Sequence, residues 1–213
     1  MTRVWLDKRR KDQYYRLAKI RGYRSRSAYK LNQAIRTYRL VKPGQKVVDL
    51  GAQPGGWLQI ARETVGREGM VLGIDIKEIE PLREPNVRLL AMDVYSEQIT
   101  SRIIEELGGP ADVLLSDLAP TIIGAWEVDH ARQVALARRA LEITEKVLNH
   151  SGNVLIKLFH GPELKRLQGD AAMLFDKSRL LKPKASRPES SEVYFLGLGF
   201  KAPWIQPSTV SHC

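Results

Sequence analysis

Residues 46–57 read KVVDLGAQPGGW. The run is apolar on both faces as far as Leu50, turns through glycines, and passes into a helical pattern. A strand of that kind belongs in a parallel sheet covered on both sides. Downstream, short apolar runs near 70–75, 87–91, 112–116 and 153–158 alternate with helical patterns near 56–65, 97–107 and 129–149. This βαβα rhythm predicts an α/β fold: a mostly parallel sheet with helices on both faces. The end of the chain breaks the rhythm. SRLLKPK (178–184) and the polar turn ASRPESS lead into EVYFLGLGF (192–200). That turn is too short for a helical crossover, so the last two strands should pair as an antiparallel hairpin. Seven strands result, the last of them antiparallel.

Upstream of residue 46 the pattern is helical, over 7–20 and 26–40, until Pro43-Gly44 breaks it. In the second helix Ala28, Leu31, Ala34, Ile35 and Tyr38 share a face, and Ser25 or Ser27 is placed to cap it. Residues 1–46 hold fifteen Lys+Arg and two Asp+Glu, a net of +13, against +10 for the whole chain. The excess positive charge therefore lies before the first strand. Such a segment binds a polyanion by counterion release, and its interleaved tyrosines and arginines (YYRLAKIRGYRSRSAYK) suit RNA or DNA better than an anionic membrane. One cysteine, Cys213, excludes a disulfide framework and a cysteine metal site. No long apolar run or signal-peptide pattern is visible, so a soluble cytoplasmic protein is expected, with no membrane partner. A chain of 213 residues suits one domain with one core, and a monomer is expected.

The glycine turn follows the first strand and opens a helix, where ligands of open parallel sheets bind. Its glycines fall at 51, 55 and 56, not in the spacing of the dinucleotide fingerprint, and Pro54 removes a backbone donor that a pyrophosphate would use. A nicotinamide or flavin dinucleotide is thereby disfavoured. Acidic residues recur at or near successive strand ends: Asp49, Asp75, Asp93 and Asp117. Each alone would serve as an ordinary cap, but four in succession point to one shared site. Asp75 stands 24 residues after Gly51, where an acid can accept from ribose hydroxyls. Trp57 suits core packing and cofactor contact equally.

Lys157 lies within the apolar strand NVLIKLF, a costly place for an amine unless it is paired or used. Asp117 ends the neighbouring strand. Glu192 begins the antiparallel last strand, whose start lies at the edge where the parallel strands end. Lys30 comes from the basic N-terminal helix. A lysine pair flanked by two carboxylates can remove a proton from a hydroxyl: burial or a neighbouring cation favours the neutral amine, and the carboxylates orient the two amines. Attack of a hydroxyl oxygen on a methyl donor then needs mainly alignment, and no metal.

The blocks GYRSRSAYKL, DLGAQPGGW, GIDI, MDV, SDLAP, IKLF and SSEVYFLG, in this order from about Tyr14 to Phe200, resemble the FtsJ (RrmJ, RlmE) family of S-adenosylmethionine-dependent ribosomal RNA 2′-O-methyltransferases. The resemblance implies a Rossmann-like methyltransferase fold and the cofactor S-adenosyl-L-methionine. It implies a single domain with a basic RNA-binding extension (1–42), a catalytic core (43–200) and an irregular tail (201–213). The family's Lys-Asp-Lys-Glu tetrad maps onto Lys30, Asp117, Lys157 and Glu192, with Lys157 as base. Cofactor contacts map onto Gly55, Trp57, Asp75, Asp93 and Asp117, in the loop that also holds Asp49, Gly51 and Gly56. Gln53 stands where a small residue is expected. The implied substrate is a uridine of large-subunit (23S-type) ribosomal RNA, in the A-loop of the peptidyl-transferase centre. A tRNA anticodon loop, an mRNA cap, and a non-catalytic ribosome-assembly role remain open. The segment 121–133 is expected to face RNA, with His130 as a residue of the helix start.

Overall fold

The computed structural model describes residues 12–201. The expected helix at 7–20 and the irregular tail at 201–213 therefore lie partly outside the described residues. Two helices come first, α1 (Gln13–Arg21) and α2 (Ala28–Tyr38). Asp12 caps α1, accepting from the backbone of Tyr14 and Tyr15 at 3.0 and 3.2 Å. Ser27 sits at the start of α2 but makes no capping bond; its hydroxyl pairs with that of Ser25 at 2.6 Å. Neither serine caps this helix in the expected way.

Next come β1 (Lys46–Leu50), α3 (Gly56–Val65), β2 (Met70–Asp75), β3 (Val87–Ala91), α4 (Ile99–Leu107) and β4 (Ala111–Ser116). They are followed by α5 (Trp126–Val147), β5 (Leu148–Phe159), α6 (Leu164–Ala172), β6 (Phe175–Leu181) and β7 (Glu192–Phe200). The seven strands form one sheet in the order β3-β2-β1-β4-β5-β7-β6. Only β7 runs against the rest, pairing antiparallel with both β5 and β6. The expected hairpin is therefore present, with β7 inserted between β5 and β6. The short helix α6 has no counterpart among the sequence expectations. It buries only Leu164, Leu167 and Ala171, too brief a periodic signal to stand out.

Period-two alternation divides the sheet's side chains between two cores. Val48, Leu50, Leu114, Val154, Ile156, Leu158, Val193 and Phe195 pack with α4, α5 and α6. Val47, Val113, Leu115, Leu155, Tyr194 and Leu196 pack with α2 and α3. Lys157 has the parity of Leu155, and Glu192 the parity of Tyr194. Both therefore face α2, the helix that carries Lys30. Strand order also leaves a switch point between β1, whose crossover leads to β2, and β4 on its other side. Ligands of such sheets bind outside the strand ends there.

Candidate active site

Four sequence segments converge at the carboxyl edge of β4 and β5. Lys157 Nζ donates to the backbone carbonyl of Asp117 at 2.6 Å and to its carboxylate at 3.0 Å. Lys30 Nζ donates to Glu192 Oε1 at 2.6 Å. Strand register brings the two pairs together: Lys157 lies opposite Tyr194, and Phe159 opposite Glu192. Tyr194 joins the pairs. Its hydroxyl donates to Asp117 Oδ1 at 2.8 Å and receives a long bond from Lys30 Nζ at 3.4 Å. The Lys30 ammonium also stands 5.7 Å from the Tyr194 ring centroid, within cation–π range. Ser186 donates to Glu192 Oε1 at 3.0 Å, fixing the carboxylate from the hairpin turn.

The residues of the group that sequence reasoning missed are Tyr194 and Ser186. Tyr194 reads as a core aromatic in EVYF, and only its register opposite Lys157 shows its place. Ser186 lies in an irregular turn and gives no local signal.

Electrostatics follow from this arrangement. Burial pushes the Asp117 carboxyl up, but Lys157, Lys30 and the hydrogen bonds from Lys157 and Tyr194 outweigh it and hold the group below the ordinary carboxylate range. Burial, reinforced by Asp117 and Glu192, pushes the Tyr194 phenol well above its usual value, so it stays a neutral donor. Lys157 is 6% exposed, and a buried amine survives there because Asp117 supplies both charge and carbonyl.

Asp117 is shared with a groove of about 420 Å³ lined also by Gly51, Asp75, Met92, Asp93, Tyr95 and Leu118. Gly51 has φ of +78°, and a Cβ there would lie 3.0 Å from the backbone nitrogen of Leu118. A side chain would close the groove at that point. Asp75 accepts from the backbone of Gln53 and of Lys77, both at 3.0 Å, and Asp93 accepts from Tyr95 N at 2.9 Å. The groove thus offers two carboxylates at strand ends, an apolar wall and a backbone turn, in a volume suited to a nucleoside-sized ligand.

Asp49, Gly55, Gly56 and Trp57 do not line this groove. Asp49 is fully buried within β1, and its carboxylate oxygens have no hydrogen-bond partner among the described residues. Burial, then the charges of Asp117 and Asp75, push that carboxyl well above the usual range. Gly55 lies against Arg24, and a Cβ on Gly56 would fall 2.2 Å from Ser25 Oγ. Trp57 donates to the Ser27 carbonyl at 2.9 Å and packs on Tyr194, ring centroids 5.8 Å apart. These residues seat the basic N-terminal segment on the glycine loop. Arg24 completes the junction, donating to the carbonyls of Pro54 and Pro81 at 3.3 and 2.9 Å and also to that of Glu80.

In the same segment Tyr14 and Tyr23 both pack on Tyr29, at 5.5 and 5.7 Å between centroids. Tyr29 thus lies between two other rings of the interleaved segment. Among the described residues no helix is long and apolar enough to cross a membrane.

A sheet with one antiparallel strand beside its carboxyl-edge groove, and a lysine–carboxylate group on the rim, defines a methyltransferase of the Rossmann-like class. The FtsJ-like methyltransferase family matches residues 23–200, and the chain belongs to that family. It is 44% identical over 201 residues to the ribosomal RNA large subunit methyltransferase E of Methanothermobacter thermautotrophicus, covering 94% of this chain and 95% of that one. It is also 44% identical over 187 residues to the protein of the same name from Methanothrix thermoacetophila, covering 88% and 72%. A solved Plasmodium falciparum structure, provisionally named a ribosomal RNA methyltransferase, superposes with a TM-score of 0.74 at 26% identity, covering 84% of this chain and 98% of that one.

Proposed function

We propose that the protein methylates a ribose 2′-hydroxyl of large-subunit ribosomal RNA, using S-adenosyl-L-methionine. The observation that carries this reading is the buried Lys157 amine, tied to Asp117 at the rim of the groove and linked through Tyr194 to Lys30 and Glu192. When bound, S-adenosylmethionine supplies an electrophilic methyl group. Gly51, Asp75, Asp93 and Asp117 would hold it, with Asp49, Gly55, Gly56 and Trp57 shaping the loop behind.

Two of the three outward positions of the Lys157 amine are taken by Asp117, its carbonyl and its carboxylate. The third is left for the incoming hydroxyl. Lys157, once it has released its own ammonium proton to solvent, would take the proton of the 2′-hydroxyl as the methyl group passes to that oxygen, and the methyl–sulfur bond would break with its electron pair left on sulfur. Asp117 aligns the amine and balances the positive charge that forms on it. Lys30, oriented by Glu192, sits where the 2′-oxygen or an adjacent phosphate would be held. The substrate is RNA because DNA has no 2′-hydroxyl. Basic charge before β1 supplies phosphate contacts. The names of the relatives favour ribosomal RNA of the large subunit, and the uridine target follows the family resemblance. The basic extension at 1–42, the core at 43–200 and a cytoplasmic site of action belong to the same proposal.

Incubation with labelled S-adenosylmethionine and, separately, purified large subunits, naked ribosomal RNA and tRNA tests it. Label on a 2′-oxygen of large-subunit RNA is expected. Label confined to tRNA, or no label with any RNA, contradicts the assignment.

A further inference from the structure

Ile122, Ile123, Trp126 and Val128 are exposed by 60, 57, 56 and 41%. They follow directly on Pro120 and Thr121, which line the groove. Ile122 and Ile123 lie on a loop, and Trp126 and Val128 in the first turn of α5 that follows it; the junction is fixed in place. The buried Asp129 accepts from the backbone of Ile123 and of Gly124, each at 3.0 Å. Apolar side chains exposed along so short and pinned a segment mark a contact surface.

One of them has a built support. The Trp126 indole lies parallel to the His130 imidazole, interplanar angle 2°, centroids 5.1 Å apart. His130 is buried, and neither ring nitrogen has a hydrogen-bond partner among the described residues. The imidazole also lies against Gly161, where an added Cβ would fall 2.2 Å from Cε1. The indole is thus backed firmly on one side and open on the other. Burying two unpaired nitrogens costs free energy that an apolar ring would not, so packing alone does not account for this stack.

Position links the stack to the site. Trp126, His130 and Gln133 follow one another at i, i+4 and i+7 along α5 and share a face. Gln133 donates to the carbonyls of Lys157 and Leu118 at 3.0 and 3.3 Å. The stripe therefore runs from the backbone of Lys157 to the exposed indole, roughly 10 Å along the helix axis.

We propose that Trp126 is a stacking platform for a nucleobase adjacent to the methylated nucleotide; this rests on the RNA reading given above. A nucleotide whose ribose is brought to Lys157 must take its base out of the stack, which strips the neighbouring base of a partner. An aromatic ring beside the groove replaces that partner. The stretch 121–128 holds one charged residue, Glu127, so it suits a base and not a phosphate. The phosphates belong to the basic segment that carries Lys30.

The test is equilibrium binding of an end-labelled, short single-stranded oligouridine RNA, read by fluorescence anisotropy of the label, with S-adenosylmethionine affinity by calorimetry as the control for folding. W126A should weaken RNA binding roughly 5- to 100-fold and W126F by no more than about threefold, the scale of one base–aromatic stack. Donor affinity should stay unchanged, and the tryptophan quenching caused by RNA should be lost in W126F. W126L separates stacking from plain apolar contact and from misfolding. RNA binding by W126L equal to that of W126F, or by W126A equal to wild type, overturns the proposal, the latter leaving the patch to an apolar protein contact. If the wild-type protein methylates no RNA in the labelled-donor assay, the RNA reading fails first and this proposal falls with it.

Discussion

The hydroxyl of Tyr194 donates to Asp117 Oδ1 at 2.8 Å, the same oxygen that Lys157 reaches at 3.0 Å. Since Lys30 also reaches that hydroxyl, one phenol connects the two lysine–carboxylate pairs. Y194F keeps the ring on Trp57 and removes the connection. A hydrogen bond to a charged group is worth about 1.5–3 kcal/mol, so methyl transfer should slow by roughly tenfold to a hundredfold if that bond is made in full in the transition state. Donor affinity should not change. A Y194F rate equal to wild type across the pH range would show that the two pairs work independently.

Acid stability should report on Asp117. Its carboxyl is held below the ordinary range in the folded protein, so the folded state binds its proton less readily than the unfolded state does. The resulting stability is fully present above the unfolded carboxyl value of about 3.9 and is lost as pH falls through the lower folded value. D117N should flatten this acid limb in denaturant titrations. It should also cost about 3 kcal/mol at neutral pH, because the Lys157 charge is left buried without its counterion. An acid limb as steep in D117N as in wild type would rule out this carboxyl as its source.

Much of this site is legible in the sequence. Lys157 stands out as an amine inside an apolar strand, and the short turn before EVYFLGLGF fixes β7 as antiparallel, which brings Glu192 to the edge where Asp117 ends β4. Other features need the third dimension. Tyr194 is indistinguishable from a core aromatic until its register opposite Lys157 is known. The same holds for Gly55 and Gly56, whose close neighbours Arg24 and Ser25 come from about thirty residues upstream. Glycine spacing reveals that something approaches the backbone there, and it cannot say whether that is a ligand or the chain's own arm. Helix α6 is hidden for a local reason, since nine residues that include Gly169 give little periodicity.

Asp49 should show the opposite pH dependence to Asp117. Its carboxyl is pushed well above the usual range, so the folded state holds the proton more tightly than the unfolded state. The stability this gives is present below the unfolded value of about 3.9 and is lost as pH rises toward the folded value. D49N removes the titration. Its stability between pH 5 and 8 should exceed that of wild type, with a smaller slope against pH, measured without donor. A D49N protein that loses stability across that range as steeply as wild type would assign the slope to another group.

The central claim is that Lys157 removes the proton from the 2′-hydroxyl. Methyl transfer by K157A, measured with labelled S-adenosylmethionine and large-subunit ribosomal RNA beside donor affinity on the same sample, tests it most directly. Transfer should fall by about 10²–10⁴, the range of a positioned general base, while donor affinity stays within a few fold of wild type. A K157A protein that binds the donor and methylates at the wild-type rate would contradict the claim.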